Sequence, residues 1–199
     1  MGICPTAHYS CWVFPAMVQS LIKPSLEFEA SYREYIRELG DEERYPFPLD
    51  FDHCNFEALL NRLTDFEAGR NLPAGYVASS TYWLVEADEI LGVSNLRHSL
   101  NDEIRRCGGH IGLGIRPSRR GQGYGTELMS LTIQEAWKRG IEEVHIHCHE
   151  SNRASARMIE SNGGVLHSEI EEGQPAETIL RFVVGAPDNK FVRPLSVST

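Results

Sequence analysis

The segment from Arg116 to Thr126, RPSRRGQGYGT, is the part of the chain whose residue types and spacing most directly suggest chemistry. Gly121, Gly123 and Gly125 let the main chain turn sharply and come close to a ligand with no Cβ in the way. A helix starting at this point offers unpaired N–H groups and the positive end of its dipole. That combination holds a phosphate through backbone donors. Arg116, Arg119 and Arg120 place cationic side chains around the same turn, which favours a pyrophosphate over a lone carboxylate.

Two familiar phosphate devices do not fit. A Walker A loop ends in Gly-Lys followed by Ser or Thr, and the chain contains no Gly-Lys pair. A dinucleotide fingerprint reads G-x-G-x-x-G, whereas here Gly125 falls one place early. Such a fold would also begin with this unit rather than after some 110 residues of other elements.

The elements that must position the loop follow from periodicity. Val18–Ile22 reads as a short strand stopped by Pro24, and Ser25 as the cap of a helix from Leu26 to Gly40. Asp41–Asp52, with two prolines and three aromatics, reads as a loop, and Phe56–Phe66 as a second helix. Thr81–Glu86 and Ile90–Leu96 form a hairpin across Asp88-Glu89, followed by a strand over Gly109–Ile115. Beyond the glycine loop come a helix (Gly125–Arg139), a strand (Val144–His149), a helix (Asn152–Ser161) and an antiparallel pair, Val165–Glu169 with Thr178–Val184. This order predicts a mixed α/β single domain over residues 18–186, with an extension at 1–17 and a tail at 187–199.

The 199 residues suit one domain. A formal charge of −9 argues against a nucleic-acid partner, and no apolar run approaches the length of a membrane span. Five scattered cysteines without a C-x-x-C suggest neither a disulfide framework nor a zinc ribbon and suit the cytoplasm. MGICPT at the start fits the loose myristoylation pattern, read here as chance because no polybasic second anchor follows; Met17 is an alternative start.

Arg120-Gly121-Gln122-Gly123-Tyr124-Gly125 resembles the [QR]-x-x-G-x-[GA] loop of the GNAT superfamily of acyl-CoA-dependent N-acetyltransferases. The strand, loop, helix, strand and Asn-bearing helix from Gly109 to Gly164 resemble the second half of that fold. The resemblance implies a mostly antiparallel central sheet, helices on both faces, and acetyl-CoA in a cleft where strands 109–115 and 144–149 splay apart. It implies that the backbone of Leu113, Gly114 and Ile115 pairs with the pantetheine arm. Arg120, Gly121, Gln122, Gly123, Tyr124, Gly125 and Thr126 would hold the pyrophosphate, with Asn152 and Ser155 against the CoA arm.

An amine would then attack the thioester directly, an N–H near Ile115 meeting the oxyanion. His110, at the start of the cleft strand, is the first candidate base, and Glu150, at the exit of the facing strand, the second. The superfamily's common tyrosine acid falls, by count from Asn152, on Ile159, which cannot donate a proton. That departure favours an alternative reading as a CoA-binding sensor or partner domain. A further alternative is a metal site, because His145, His147 and His149 share one strand face; the acetyltransferase reading itself expects no metal. Arg97 and His98 fall near the acceptor side, and Tyr45, Phe47 and Phe51 could cover it. The acceptor amine is not specified, and a homodimer through the terminal strands stays open.

Overall fold

The computed structural model describes residues 19–187. The proposed extension, the myristoylation pattern, Met17 and all but the first residue of the proposed tail lie outside the described residues.

Two antiparallel sheets form the frame. The first runs β1 (Ser20–Ile22), β2 (Ser79–Glu86), β3 (Glu89–Arg97) and β4 (Ile111–Ile115) in sequential order. The second, with β5 (Glu143–His149), β6 (Val165–Glu172) and β7 (Glu177–Gly185), is ordered β5-β7-β6. The hairpin joining β2 to β3 turns one residue earlier than the sequence suggests, across Ala87-Asp88, with Glu86 opposite Glu89. β7 has a neighbour on each side, so the last strand is not an open edge for a second copy.

Helices cover both faces, because both faces of β2 and β3 are apolar and buried. On one side α1 (Glu29–Leu39) and α2 (Phe56–Glu67) pack Tyr32, Tyr35, Ile36, Leu59 and Leu63 onto Trp83, Val85, Ile90 and Val93. On the other, α3 (Tyr124–Lys138) and α4 (Arg153–Ser161) pack Met129, Ile133, Ala156 and Ile159 onto Ile111, Ile146 and Phe182. Ser25 makes no side-chain cap; a short 3-10 turn at Leu26–Phe28 leads into α1 instead. Asn55 does cap α2, accepting the Ala58 N–H at 3.0 Å. Among the described residues, no helix is long and apolar enough to cross a membrane.

β4 and β5 diverge. They meet in a single bridge, Gly109 opposite Ile146, where the His110 N–H donates to the His145 carbonyl at 2.7 Å. Beyond it β4 is paired only with β3, so its other edge from Ile111 to Ile115 faces a gap. Most of the candidate coenzyme-binding residues surround this gap.

Candidate active site

A cleft of about 670 Å³ opens in that gap. Leu113, Gly114 and Ile115 of β4 form its floor, and Arg120, Gly121, Gly123, Tyr124, Gly125 and Thr126 form one end. Asn152, Ser155 and Met158 supply the α4 wall, while Tyr35, Glu42, Glu43 and Tyr45 close it from the α1 side. Gln122 turns away: its Nε2 donates to the Ser118 carbonyl at 3.1 Å.

The glycine loop has the conformation its composition requires. Gly121 (φ +75°) and Gly123 (φ +90°) occupy the left-handed region, and nothing lies within 4 Å of where a Cβ would stand. The side against these residues is therefore open. Gly123 precedes the first turn of α3 with no side-chain cap. Among the described residues the amides from Gly121 to Gly125 find no acceptor, whereas Thr126 N–H reaches the Gly123 carbonyl at 3.0 Å. An open row of donors at a helix N-terminus fits a diphosphate.

The arginines behave differently from the expectation of a shared cationic rim. Arg116, only 3% exposed, is a structural post whose guanidinium meets Glu38 at 2.6 Å, Glu89 at 3.1 Å and Glu34 at 3.5 Å, tying α1 to the end of β4. Arg119 pairs with Glu89. Arg119 and Arg120 both border the cleft, and Arg120 does so from an exposed pair, its guanidinium on Glu42 at 2.7 Å and its Nε on the Ile115 carbonyl at 3.1 Å. Carboxylates more than 25 residues away in sequence have claimed the charge, leaving backbone amides as the principal phosphate donors.

Asn152 caps α4 by accepting the Ser155 N–H at 3.0 Å, which fixes both residues at the corner where the cleft continues into a second cavity. This second cavity, about 360 Å³, is lined by Glu43, Tyr45, Arg97, Cys107, His147 and Cys148 among others. It shares Arg97, Cys107 and Gly108 with a third, about 390 Å³, walled by Phe47, Tyr76, Val77 and Ile104. The three form a continuous trough past the β4–β5 gap, with Tyr45 where the first two join. Gly112 and Gly114 make this possible: a Cβ on Gly112 would stand 2.7 Å from the Tyr45 hydroxyl, and one on Gly114 would stand 2.2 Å from the Tyr45 carbonyl. The loop at 41–52 thus lies directly over β4, and burial pushes the Tyr45 hydroxyl's pKa up.

His110 is 7% exposed and lines none of these three cavities. Its Nδ1 accepts the His145 N–H at 3.0 Å, making it a pin across the β4–β5 bridge. Burial, then the neighbouring His145, push its pKa down to about 4. Glu150 is exposed beside Arg153 at 3.9 Å and lines none of them either. Ile159 is 1% exposed in the core, while Met158, one residue earlier, faces the cleft. The count that leads to Ile159 therefore lands on the wrong face of α4 to bear on acid catalysis.

The histidine stripe alternates as expected, with Val144, Ile146 and Cys148 turned to the core. Its members part company at their tips. His145 stacks between His110 and His167, His149 pairs with Glu177 at 2.9 Å, and His147 enters the second cavity. Among the described residues no three His, Cys, Asp or Glu side chains converge as metal ligands. Among the described residues the buried His147 ring nitrogens meet no hydrogen-bonded partner within normal reach, and burial pushes the pKa down to about 4.

Sequence reading placed Arg97 near the acceptor side and Tyr45 and Phe47 over it, and all three line the trough. Phe51 instead packs on Phe66 beneath Arg62. Missed entirely were Tyr35, Glu42 and Glu43 and the wide turn at Ile104–Gly108, closed by the Gly109 N–H on the Ile104 carbonyl at 2.8 Å. Only the glycine pair at 108–109 hints at that turn.

The family description "Acetyltransferase (GNAT) domain" matches residues 28–165. Comparison with curated proteins finds no match. Among solved structures, the fold is similar to the ribosomal-protein-S5-alanine acetyltransferase from Vibrio fischeri, with a TM-score of 0.64 and 14% identity over 88% of this chain and 97% of that one. It is similar to RimL, a ribosomal L7/L12 alpha-N-protein acetyltransferase in complex with coenzyme A (TM-score 0.63, 14% identity, 86% and 95% covered). It is also similar to yncA from Salmonella typhimurium, a putative acetyltransferase with acetyl-CoA (TM-score 0.57, 12% identity, 89% and 98% covered). At such identities the likeness is one of fold.

Proposed function

The chain belongs to the GNAT acetyltransferase family, and from that premise we propose that it transfers the acetyl group of acetyl-CoA to the primary amine of a small molecule or peptide, both bound at once. The observation that carries this reading is the trough itself. An open row of amides at its α3 end suits a diphosphate, an unpaired strand edge suits an extended amide-bearing arm, and a second cavity continues past the gap.

Gly121 to Gly125 would hold the pyrophosphate, with Arg120 exchanging Glu42 for a phosphate oxygen. The free edge of β4 would pair with the pantetheine arm and present an N–H to the oxyanion. The amine nitrogen, once neutral, attacks the thioester carbon: a C–N bond forms, the C–S bond breaks, and CoA leaves as thiolate. Holding both reactants in one trough supplies the proximity that the bimolecular reaction lacks.

Two protons must move. The Tyr45 hydroxyl, over Gly112 at the junction of the two cavities and protonated at neutral pH like any phenol, is assigned to the departing sulfur. The ammonium proton passes to solvent in the acceptor cavity, where Glu43 and His147 stand on the wall, and the second proton, shed by the nitrogen once the C–N bond has formed, restores the Tyr45 hydroxyl. His110 and Glu150 are set aside as bases because neither lines the trough.

Incubation with acetyl-CoA and a panel of amines, following thiol release and the mass of the product, tests the assignment. Amine-dependent thiol release with a product 42 Da heavier, the difference of C2H2O expected from acetylation chemistry, supports transfer. Coenzyme binding without it would leave the sensor reading in place.

A further inference from the structure

Arg97 ends β3 inside the trough and lines both cavities beyond the coenzyme cleft. Its Nη1 donates to the Gly108 and Gly109 carbonyls, at 3.3 and 3.0 Å, which anchors the guanidinium against the wide turn. Among the described residues no hydrogen bond uses Nε or Nη2. Its ring neighbour is Phe47, 5.9 Å away, and among the described residues no carboxylate comes within 4.0 Å of it. The contrast with Arg116, Arg119 and Arg120 is sharp, since each of those holds a glutamate. A cation shielded from water and denied a counterion is costly unless something else supplies the charge.

The surroundings say what would supply it. Glu43 stands at the coenzyme end of the second cavity, so the trough is negative where the amine must enter and positive farther on, at Arg97. Beyond Arg97 the third cavity is apolar, with Phe47 and Tyr76 in edge contact at 5.2 Å and Val77 and Ile104 beside them. Glu103 also borders it, from an exposed position on the turn.

We propose that the acceptor is an amino-acid-like zwitterion whose carboxylate docks on the Arg97 guanidinium and whose apolar body fills the Phe47–Tyr76 cavity. This inference rests on the transferase reading and narrows its substrate to one class. It excludes polyamines, which bring no anion to Arg97.

The test compares matched acceptors in the acetyl-CoA thiol-release assay: L-phenylalanine against 2-phenylethylamine, L-leucine against isoamylamine, and spermidine. The carboxylate-bearing member of each pair is expected to show a kcat/KM higher by about 10- to 100-fold, the range of a charge-assisted pair. In Arg97→Gln that ratio is expected to fall toward 1, mainly through KM of the carboxylate acceptor, and Arg97→Lys to restore part of it. Reading a ratio within one protein keeps the result independent of any loss of folded enzyme. Turnover confined to amines without a carboxylate, or an unchanged ratio in Arg97→Gln, overturns this inference while leaving the transferase reading intact. Thiol release with none of the amines overturns both.

Discussion

Arg120 and Glu42 face each other across the mouth of the coenzyme cleft in a two-pronged pair, Nη1 to Oε1 at 3.2 Å and Nη2 to Oε2 at 2.7 Å. A phosphate entering the cleft competes with Glu42 for the same donors. Exposed pairs of this kind are weak, so the exchange is easy. Replacing Glu42 with Gln is expected to tighten CoA binding by up to about fivefold at low salt. Calorimetric titration with CoA checks this, and weaker binding would count against a phosphate partner for Arg120.

Gly123 sits at φ +90° beside an open face. Any side chain there strains the turn, and a branched one also intrudes where the ligand phosphate would lie. Gly123→Val is expected to lower CoA affinity by more than about tenfold. Unchanged affinity by calorimetry would remove the loop from coenzyme binding.

Arg116 is a test of the opposite kind. Its buried guanidinium is consumed by the partly exposed Glu38, Glu89 and Glu34, so Arg116→Met removes the tie between α1 and β4 and is expected to cost about 1–3 kcal/mol of stability. Thermal or denaturant unfolding measures it. A variant as stable as the parent but impaired in CoA binding would return Arg116 to the role of phosphate ligand.

Tyr45 contributes a hydroxyl over Gly112 where the cavities join. Tyr45→Phe keeps the ring over Gly112 and removes the donor. A fall in kcat of about 10- to 100-fold with little change in the dissociation constant of CoA is expected. A kcat equal to the parent's across the pH range would leave thiolate protonation to solvent.

Acid should destabilise the fold through its histidines. Burial pushes His110 and His147 down to about 4, and His98 and His145 move the same way. Unfolded histidines take up protons near 6.5. Between these values the unfolded chain binds more protons, so stability rises with pH there. The contribution is whole above about 6.5 and drains away as pH falls toward 4, at up to about 1.4 kcal/mol per pH unit for each fully responsive group. Melting temperatures at closely spaced pH values would show it, with a flatter curve for His110→Asn. A melting temperature constant from pH 6.5 to 4.5 would contradict the burial of these rings.

Much of this architecture is written locally. Strand alternation announces β5, and the glycines at 121, 123 and 125 announce the loop because a left-handed turn next to a ligand tolerates little else. What the sequence hides is pairing across distance. Nothing near Arg116 foretells that Glu38, 78 positions earlier, will occupy it. Nor does anything near Arg97 foretell that it will go without a partner. His110 reads equally well as a base or as a pin, and only the His145 amide on its ring nitrogen decides where that lone pair is spent. The acceptor trough is likewise assembled chiefly from the loop at 41–52, residues 74–77, the end of β3, the turn at Ile104–Gly108 and β5, segments with no local signature in common.

The single bridge at Gly109 and Ile146 carries a consequence for the lifetime of the chain. Past that point β4 has a bare edge and five amides at the head of α3 have no taker among the described residues. A folded state with such gaps gives up stability that a bound partner returns by mass action. Acetyl-CoA seated in the cleft would therefore reduce how often these segments open and how readily a protease cuts them.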